Sequence, residues 1–66
     1  MTVTINDKAV TLPDGATLAD AIAKAGVSTN GIATALNGTV VPATQRAETA
    51  MSDGDSVIII KAFYGG

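Results

Sequence analysis

Polar and apolar residues alternate in two short stretches at the start of the chain. Thr2–Ile5 and Ala9–Leu12 both follow the period of two that is typical of a half-buried β-strand. Between them, Asn6–Lys8 has the composition of a turn. The pattern predicts an N-terminal β-hairpin. Its shared apolar face is expected to carry four side chains, those of Val3, Ile5, Val10 and Leu12.

The hydrophobic period then changes to that of an amphipathic helix. Apolar residues at spacings of three, four and seven predict a helix over Thr17–Ala25. Thr17 is a suitable N-cap, with Asp20 at the third helical position, and Gly26 is the expected C-terminal stop. Asp20 and Lys24, one turn apart, are expected to pair and contribute ~0.3 kcal/mol. The predicted apolar stripe consists of Leu18, Ala21, Ile22 and Ala25.

The second half of the chain predicts three more strands. Ile32–Leu36 is a short strand candidate, and Thr39–Val41 is its return strand after the hairpin dipeptide Asn37-Gly38. Ala43–Met51 has no wide apolar stripe, so we expect a helical turn or an irregular crossover there. Ser56–Phe63 is the longest and most apolar strand candidate.

This order of elements predicts an α+β domain built on one sheet. A helix among strands in so short a chain implies a mixed sheet of four to five strands, with one main helix packed on one face. The apolar final strand is expected to lie in the centre, parallel to the first strand. That arrangement is the β-grasp, or ubiquitin-like, architecture.

Alternation within the final strand separates its apolar residues onto two faces. We expect Val57 and Ile59 to face the helix, which leaves Ile58 and Ile60 on the opposite face. That opposite pair is then exposed and available to a partner, or it is shielded by the Ala43–Met51 crossover.

Composition limits the possible functions more than it limits the fold. The 66 residues, expected to form one domain over 1–66, contain no Cys and no His, which excludes disulfides and removes the usual general base and metal ligand. A net charge of −2, with four scattered cations, argues against nucleic-acid binding. No apolar run is long enough to span a bilayer and no signal peptide is visible, so we expect a soluble, cytoplasmic protein.

Few internal motifs indicate chemistry. Asp53-Gly54-Asp55 has too few oxygen donors for a Ca²⁺ site, which takes roughly 6–8 ligands, and it is better interpreted as a turn before the last strand. The chain contains no phosphate-binding loop of its own. We therefore expect no catalytic residue, no bound cofactor and no metal site.

The last four residues, Phe63, Tyr64, Gly65 and Gly66, are the exception. They are either a frayed strand end or a tail that enters a partner enzyme. Two residues without Cβ atoms can pass through a channel that is too narrow for other side chains. The Gly66 carboxylate, with a reference pKa of about 3.5, is ionised and unreactive at neutral pH, so acyl chemistry there requires activation, for example adenylation with a nucleotide held by the partner. Phe63 and Tyr64 would act as aromatic anchors beside the channel.

Taken in order, these segments resemble the ThiS family of thiamine-biosynthesis sulfur carrier proteins. The similarity covers essentially the whole chain and is strongest in its second half. The segments that carry it are Leu36-Asn37, Val40-Val41-Pro42, Ala47-Glu48-Thr49, Asp53-Gly54-Asp55, the apolar final strand and Gly65-Gly66.

The resemblance implies a specific chemistry. A ubiquitin-activating-like adenylyltransferase would use ATP to adenylate Gly66, and sulfur from a cysteine desulfurase route would convert it to a thiocarboxylate. Thiazole synthase would then use that sulfur to build the thiazole of thiamine. Gly65 would be the neighbour that fits the channel, at the end of a flexible tail, and the protein itself would not be an enzyme.

The chain departs from the family pattern at three positions, and three other functions stay open. Arg46 stands where relatives often have Trp, Ile58 where they often have an acidic residue, and Tyr64 where the residue is commonly small. The alternatives are a sulfur carrier for another pathway of the molybdopterin type, a ubiquitin-like modifier conjugated through Gly66, and a permanent structural subunit.

Overall fold

A computed structural model describes residues 1–27 and 31–61 of the chain. Within these residues the chain forms five strands, one α-helix and one 3₁₀ helix. In chain order they are β1 (Thr2–Ile5), β2 (Lys8–Thr11), α1 (Leu18–Ala25), β3 (Ile32–Leu36), β4 (Thr39–Val41), the 3₁₀ helix (Ala43–Glu48) and β5 (Ser56–Lys61). The predicted extension of the last strand to Phe63 lies outside the described residues.

The strands form a single mixed sheet in the order β2-β1-β5-β3-β4. β5 lies in the centre, parallel to β1 and antiparallel to β3, while both hairpins are antiparallel. The central position of the apolar last strand and its parallel pairing with the first strand are therefore confirmed, and so is the β-grasp arrangement.

Helix α1 begins and ends where the capping residues predict. The Thr17 hydroxyl accepts a hydrogen bond from the Asp20 N–H at 3.3 Å, and the Asp20 carboxylate accepts one from the Thr17 N–H at 2.9 Å. Gly26 adopts the left-handed conformation, at φ 76°, and donates to the Ala23 carbonyl. The local signals are sufficient to define this helix because each cap bond joins residues at most three positions apart.

Two finer expectations for α1 are wrong. Ala25 is exposed, so the buried stripe consists of Leu18, Ala21 and Ile22 and ends one turn early. No ion pair joins Asp20 to Lys24. The reason for the second is that the capping box already holds the Asp20 carboxylate against Thr17.

The crossover after β4 packs on the same side of the sheet as α1. The Leu18 N–H donates to the Thr49 carbonyl at 2.8 Å, and the Met51 N–H donates to the Ala16 carbonyl at 3.0 Å. Met51 also belongs to the buried core. The interpretation that this crossover shields Ile58 and Ile60 is therefore wrong.

The core lies between the sheet and these two helical segments. Of the predicted hairpin face, Val10 is only half-buried and the other three residues are buried. The buried cluster consists of Val3, Ile5, Leu12, Ala16, Leu18, Ala21, Ile22, Val41, Met51, Val57 and Ile59.

Candidate functional site

The predicted functional residues follow strand β5 in the sequence, after Ala62. Phe63, Tyr64, Gly65 and Gly66 lie outside the described residues, so their roles stay predictions. The structure does describe the segment from which they continue, Ile59–Lys61, which we call the tail base.

The tail base is part of the most internal strand of the sheet. On its β3 side, Ile60 pairs with Ala33 and Lys61 pairs with Ile32, the first residue of β3. These pairs hold one edge of the tail base to β3 as far as its last residue. The chain therefore enters the predicted tail from an anchored position.

On the β1 side, the turn residue Asn6 binds β5 beyond the point where strand pairing ends. β1 pairs with β5 only as far as Ile5 and Val57. The side-chain Oδ1 of Asn6 accepts a hydrogen bond from the Ile59 N–H at 2.8 Å, and its Nδ2 donates to the Ile59 carbonyl at 3.2 Å. The side-chain amide of Asn6 thus binds both the N–H and the carbonyl of Ile59, as the backbone of a neighbouring strand would.

A buried cation secures the β3 side of the same end of the sheet. Arg46 in the 3₁₀ helix is only 6% exposed. Its Nη2 donates to the Ile32 carbonyl at 2.9 Å and its Nε donates to the Thr34 hydroxyl at 3.2 Å. Thr34 in turn donates to the Val41 carbonyl at 3.1 Å. The residue that departs from the family pattern therefore joins the crossover to strands β3 and β4.

The sequence interpretation missed both contacts. The sequence places Asn6 in a turn, and it marks Arg46 only as a departure from the family pattern. Arg46 gives no local signal of burial, because charged residues are usually exposed and Glu48 stands two positions away. For Asn6 no local signal existed, because Ile59 lies 53 positions away in the chain.

The opposite end of β5 is held by the second hairpin. The Asn37 N–H donates to the Ser56 carbonyl at 2.8 Å, and the Asn37 Oδ1 accepts from the Ser56 N–H at 2.9 Å. Asn37 also donates from Nδ2 to Asp55 at 3.0 Å. Asn37 thus binds both backbone groups of Ser56, the first residue of β5, as Asn6 binds both backbone groups of Ile59.

The aspartates before β5 have structural partners, in agreement with their assignment to a turn. Asp53 Oδ1 accepts from the Thr2 N–H at 2.8 Å, and Asp55 Oδ2 accepts from the Ser52 N–H at 2.7 Å. Residues 1–27 and 31–61 contain no group of three carboxylates that could hold a metal ion.

The sheet face opposite α1 carries an exposed apolar surface. Ile58 is 39% and Ile60 59% exposed, and Val40 on β4 is 72% exposed, whereas Val57 is fully buried. The register places Ala33 beside Ile60, and Ala35 beside both Ile58 and Val40. We call this surface the outer face; it consists of Ala33, Ala35, Val40, Ile58 and Ile60.

The described part of the chain shows an anchored strand end next to an exposed apolar surface. No pocket is found within it. None of its helices is long and apolar enough to cross a membrane. This geometry is suited to contact with another protein at the point where the predicted tail begins.

Comparisons with known proteins agree with this geometry. The model of the ThiS family matches residues 2–66. A crystal structure of a thiamine biosynthesis protein (ThiS) from Geobacter metallireducens superimposes with a TM-score of 0.80 at 26% identity, over 100% of this chain and 99% of that one. A solution NMR structure of a thiamine biosynthesis protein from the same organism gives a TM-score of 0.76 at 25% identity, over 100% and 88% of the two chains.

No curated protein matches the sequence. The family match nevertheless covers all but the first residue of the chain. The chain therefore belongs to the ThiS family.

Proposed function

We propose that this protein is a sulfur carrier of thiamine biosynthesis that transports sulfur as a thiocarboxylate on Gly66. The observation that carries the proposal is the match to the ThiS family over residues 2–66, which includes the Gly65-Gly66 end. The anchored tail base supports it, because a carrier must hold its reactive end away from its own core. The proposal takes Gly66 as the last residue of the protein.

Activation is needed because a carboxylate is a poor electrophile. With a reference pKa of about 3.5, the Gly66 carboxyl group is ionised near neutral pH. In the proposed first step, a carboxylate oxygen attacks the α-phosphorus of ATP, and pyrophosphate leaves to give an acyl adenylate. A ubiquitin-activating-like adenylyltransferase supplies the nucleotide site, since the chain has no phosphate-binding loop.

Sulfur then replaces the nucleotide. A persulfide from a cysteine desulfurase route attacks the activated carbonyl carbon of Gly66 and AMP leaves, which forms an acyl disulfide. A thiol reduces that disulfide, and the products are the thiocarboxylate and a second disulfide. Thiazole synthase is the proposed acceptor of the carried sulfur.

In this scheme the protein is a substrate of its partner enzymes and not a catalyst. Its sequence has no Cys or His to act as nucleophile or general base. An activated Gly66 would also meet no thiol in its own chain. ATP is bound by the partner, and the carrier itself needs no cofactor.

The outer face is the proposed contact surface for the activating enzyme. Ile58 and Ile60 expose apolar side chains on β5, the strand that continues into the tail. A partner that covers them would receive Gly66 from the same strand. Phe63 and Tyr64, which precede the diglycine in the sequence, are proposed as anchors near the channel entrance.

Intact-mass measurement of the protein from thiamine-starved cells tests the proposal. We expect the mass increase that corresponds to exchange of one oxygen for sulfur, located at Gly66 by fragmentation. The increase should disappear in thiamine-replete cells. Covalent adducts with other proteins would instead favour a modifier, and residues beyond Gly66 or a permanently unmodified end would overturn the proposal.

A graded series at Gly65 tests passage through a narrow channel. We expect Gly65→Ala to slow ATP-dependent activation and Gly65→Val to abolish it, because each added carbon must fit within the channel. Thermal unfolding should be the same for both variants and the wild type. Normal activation of Gly65→Val would contradict the threading argument while leaving the thiocarboxylate itself testable by mass.

A further inference from the structure

We propose that Asn6 is a positioning residue for the activation of Gly66. Its side chain holds the backbone of Ile59 and thereby fixes the direction in which β5 continues into the tail. This inference rests on the proposed function and adds a residue that is distant in sequence from the tail.

The register shows why a side chain is needed at this point. Backbone groups of β5 that face β1 belong to alternate residues, and the Asn6 N–H donates to the Val57 carbonyl at 2.9 Å. The next such residue is Ile59, but β1 has ended at Ile5 and the chain turns at Asn6, where φ is 49°. The Asn6 amide replaces the missing strand by binding both the N–H and the carbonyl of Ile59.

Loss of this amide would leave the tail base paired on one edge only. Beyond Val57, β5 would then be held by β3 alone, through the pairs that reach from Ile58 to Lys61. Gly66 lies five residues after Lys61, and an extended chain spans at most about 3.6 Å per residue. With so short a connection, the position of the tail base limits where the Gly66 carboxylate can be placed, and a less firmly held tail base makes the reactive geometry rarer.

The second hairpin supplies a matched control. Asn37 has the same residue type, the same φ of 49° and the same kind of contact, since its Oδ1 also accepts from a β5 N–H. That N–H belongs to Ser56, at the start of β5 and away from the tail base. Any loss of general stability should affect both variants, whereas a loss of positioning should affect only Asn6.

The experiment compares Asn6→Gly with Asn37→Gly. Glycine accepts a positive φ without strain, so each substitution removes the amide and keeps the turn conformation. Denaturant unfolding first identifies conditions in which both variants are fully folded. Amide hydrogen exchange of the free proteins by NMR, and kcat and KM for ATP-dependent activation by the adenylyltransferase, are then measured under those conditions.

We expect Asn6→Gly to raise hydrogen exchange at Ile59, whose N–H loses its acceptor, and to lower kcat by about tenfold, because the reacting group is misplaced. KM should change little because the outer face is intact. Asn37→Gly should raise exchange at Ser56 and leave kcat close to the wild-type value.

Equal kcat in Asn6→Gly and the wild type would overturn the inference, and so would equal losses in the two variants. In either case a normally activated wild-type protein would leave the proposed function standing. A wild-type protein that the adenylyltransferase does not activate would overturn the proposed function and this inference together.

Discussion

The two faces of strand β5 carry the same kind of side chain, but those side chains are buried on one face and exposed on the other. Three consecutive isoleucines occupy positions 58, 59 and 60. Ile59 points into the core beneath α1, while Ile58 and Ile60 point outward with large exposed fractions. The comparison shows that burial, and not residue type, separates the side chains that hold the domain together from those that remain for a partner.

The inner face of the sheet, which packs against α1 and the crossover, also carries buried polar side chains. Thr34 on β3, paired with Ile59, is buried together with Arg46. These polar groups are tolerated because they bond to each other and to backbone carbonyls. Stability on this face therefore depends on hydrogen bonds as well as on apolar area.

Alanine substitution at adjacent isoleucines tests the comparison most strongly. Ile59→Ala should lower the free energy of unfolding by about 2–4 kcal/mol, since it removes buried methyl groups and leaves a cavity. Ile60→Ala should cost less than about 1 kcal/mol because its side chain is already largely in water. Denaturant unfolding measures both, with Ile59→Val, expected to cost about 1 kcal/mol, as a milder variant if Ile59→Ala does not fold. Equal losses of unfolding free energy at positions 59 and 60 would contradict the difference between the two faces.

Removal of the buried cation should have the next largest effect. Arg46→Met keeps an apolar side chain of comparable length but leaves the Ile32 carbonyl without its donor, so we expect a loss of about 1–3 kcal/mol. Urea unfolding measures the loss. The conservative variant Arg46→Lys should recover only part of it, because lysine lacks the planar donors that reach both Ile32 and Thr34. Wild-type stability in Arg46→Met would show that the hydrogen bonds of Arg46 do not stabilise the inner face.

Threonine substitutions on the outer face should separate binding from stability. Ile58→Thr and Ile60→Thr retain β-branched side chains, so the unfolding free energy should change by less than about 1 kcal/mol. The kcat/KM of activation should fall by about tenfold, mainly through KM, if the enzyme covers this face. Val40→Thr, on the same face but farther from the tail base, should have a smaller effect. Unchanged activation in all three variants would contradict the assigned contact surface.

The hairpin turns should show the smallest effects, since they belong to neither face. Asp7 occupies at φ 68° the position that Gly38 occupies at φ 85° in the other hairpin. Asp7→Gly should therefore stabilise the protein by about 0.5–1 kcal/mol. Gly38→Ala should destabilise it by a similar amount through backbone strain alone, because a Cβ there would meet no atom within 4 Å. Thermal unfolding shows whether each variant is more or less stable than the wild type. A stability change in the same direction for both variants would contradict the argument from backbone conformation.

The sequence by itself determined most of the secondary structure and the two faces of the sheet. Alternation, the Thr17–Asp20 capping box and the turns at Asn6 and Asn37 act between residues that are close in the chain, so their signals can be recognised locally. The family motifs also sufficed to predict a sulfur carrier, and they are the basis for proposing Gly66 as its functional residue.

Only the tertiary structure decided how the tail base is held. The contacts of Asn6 with Ile59, and of Arg46 with Ile32 and Thr34, join segments that are remote in the chain. They depend on strand register and on the path of the crossover, which result from packing of the whole domain and have no local sequence pattern. Tertiary packing also left Ala25 exposed where its helical spacing indicates burial.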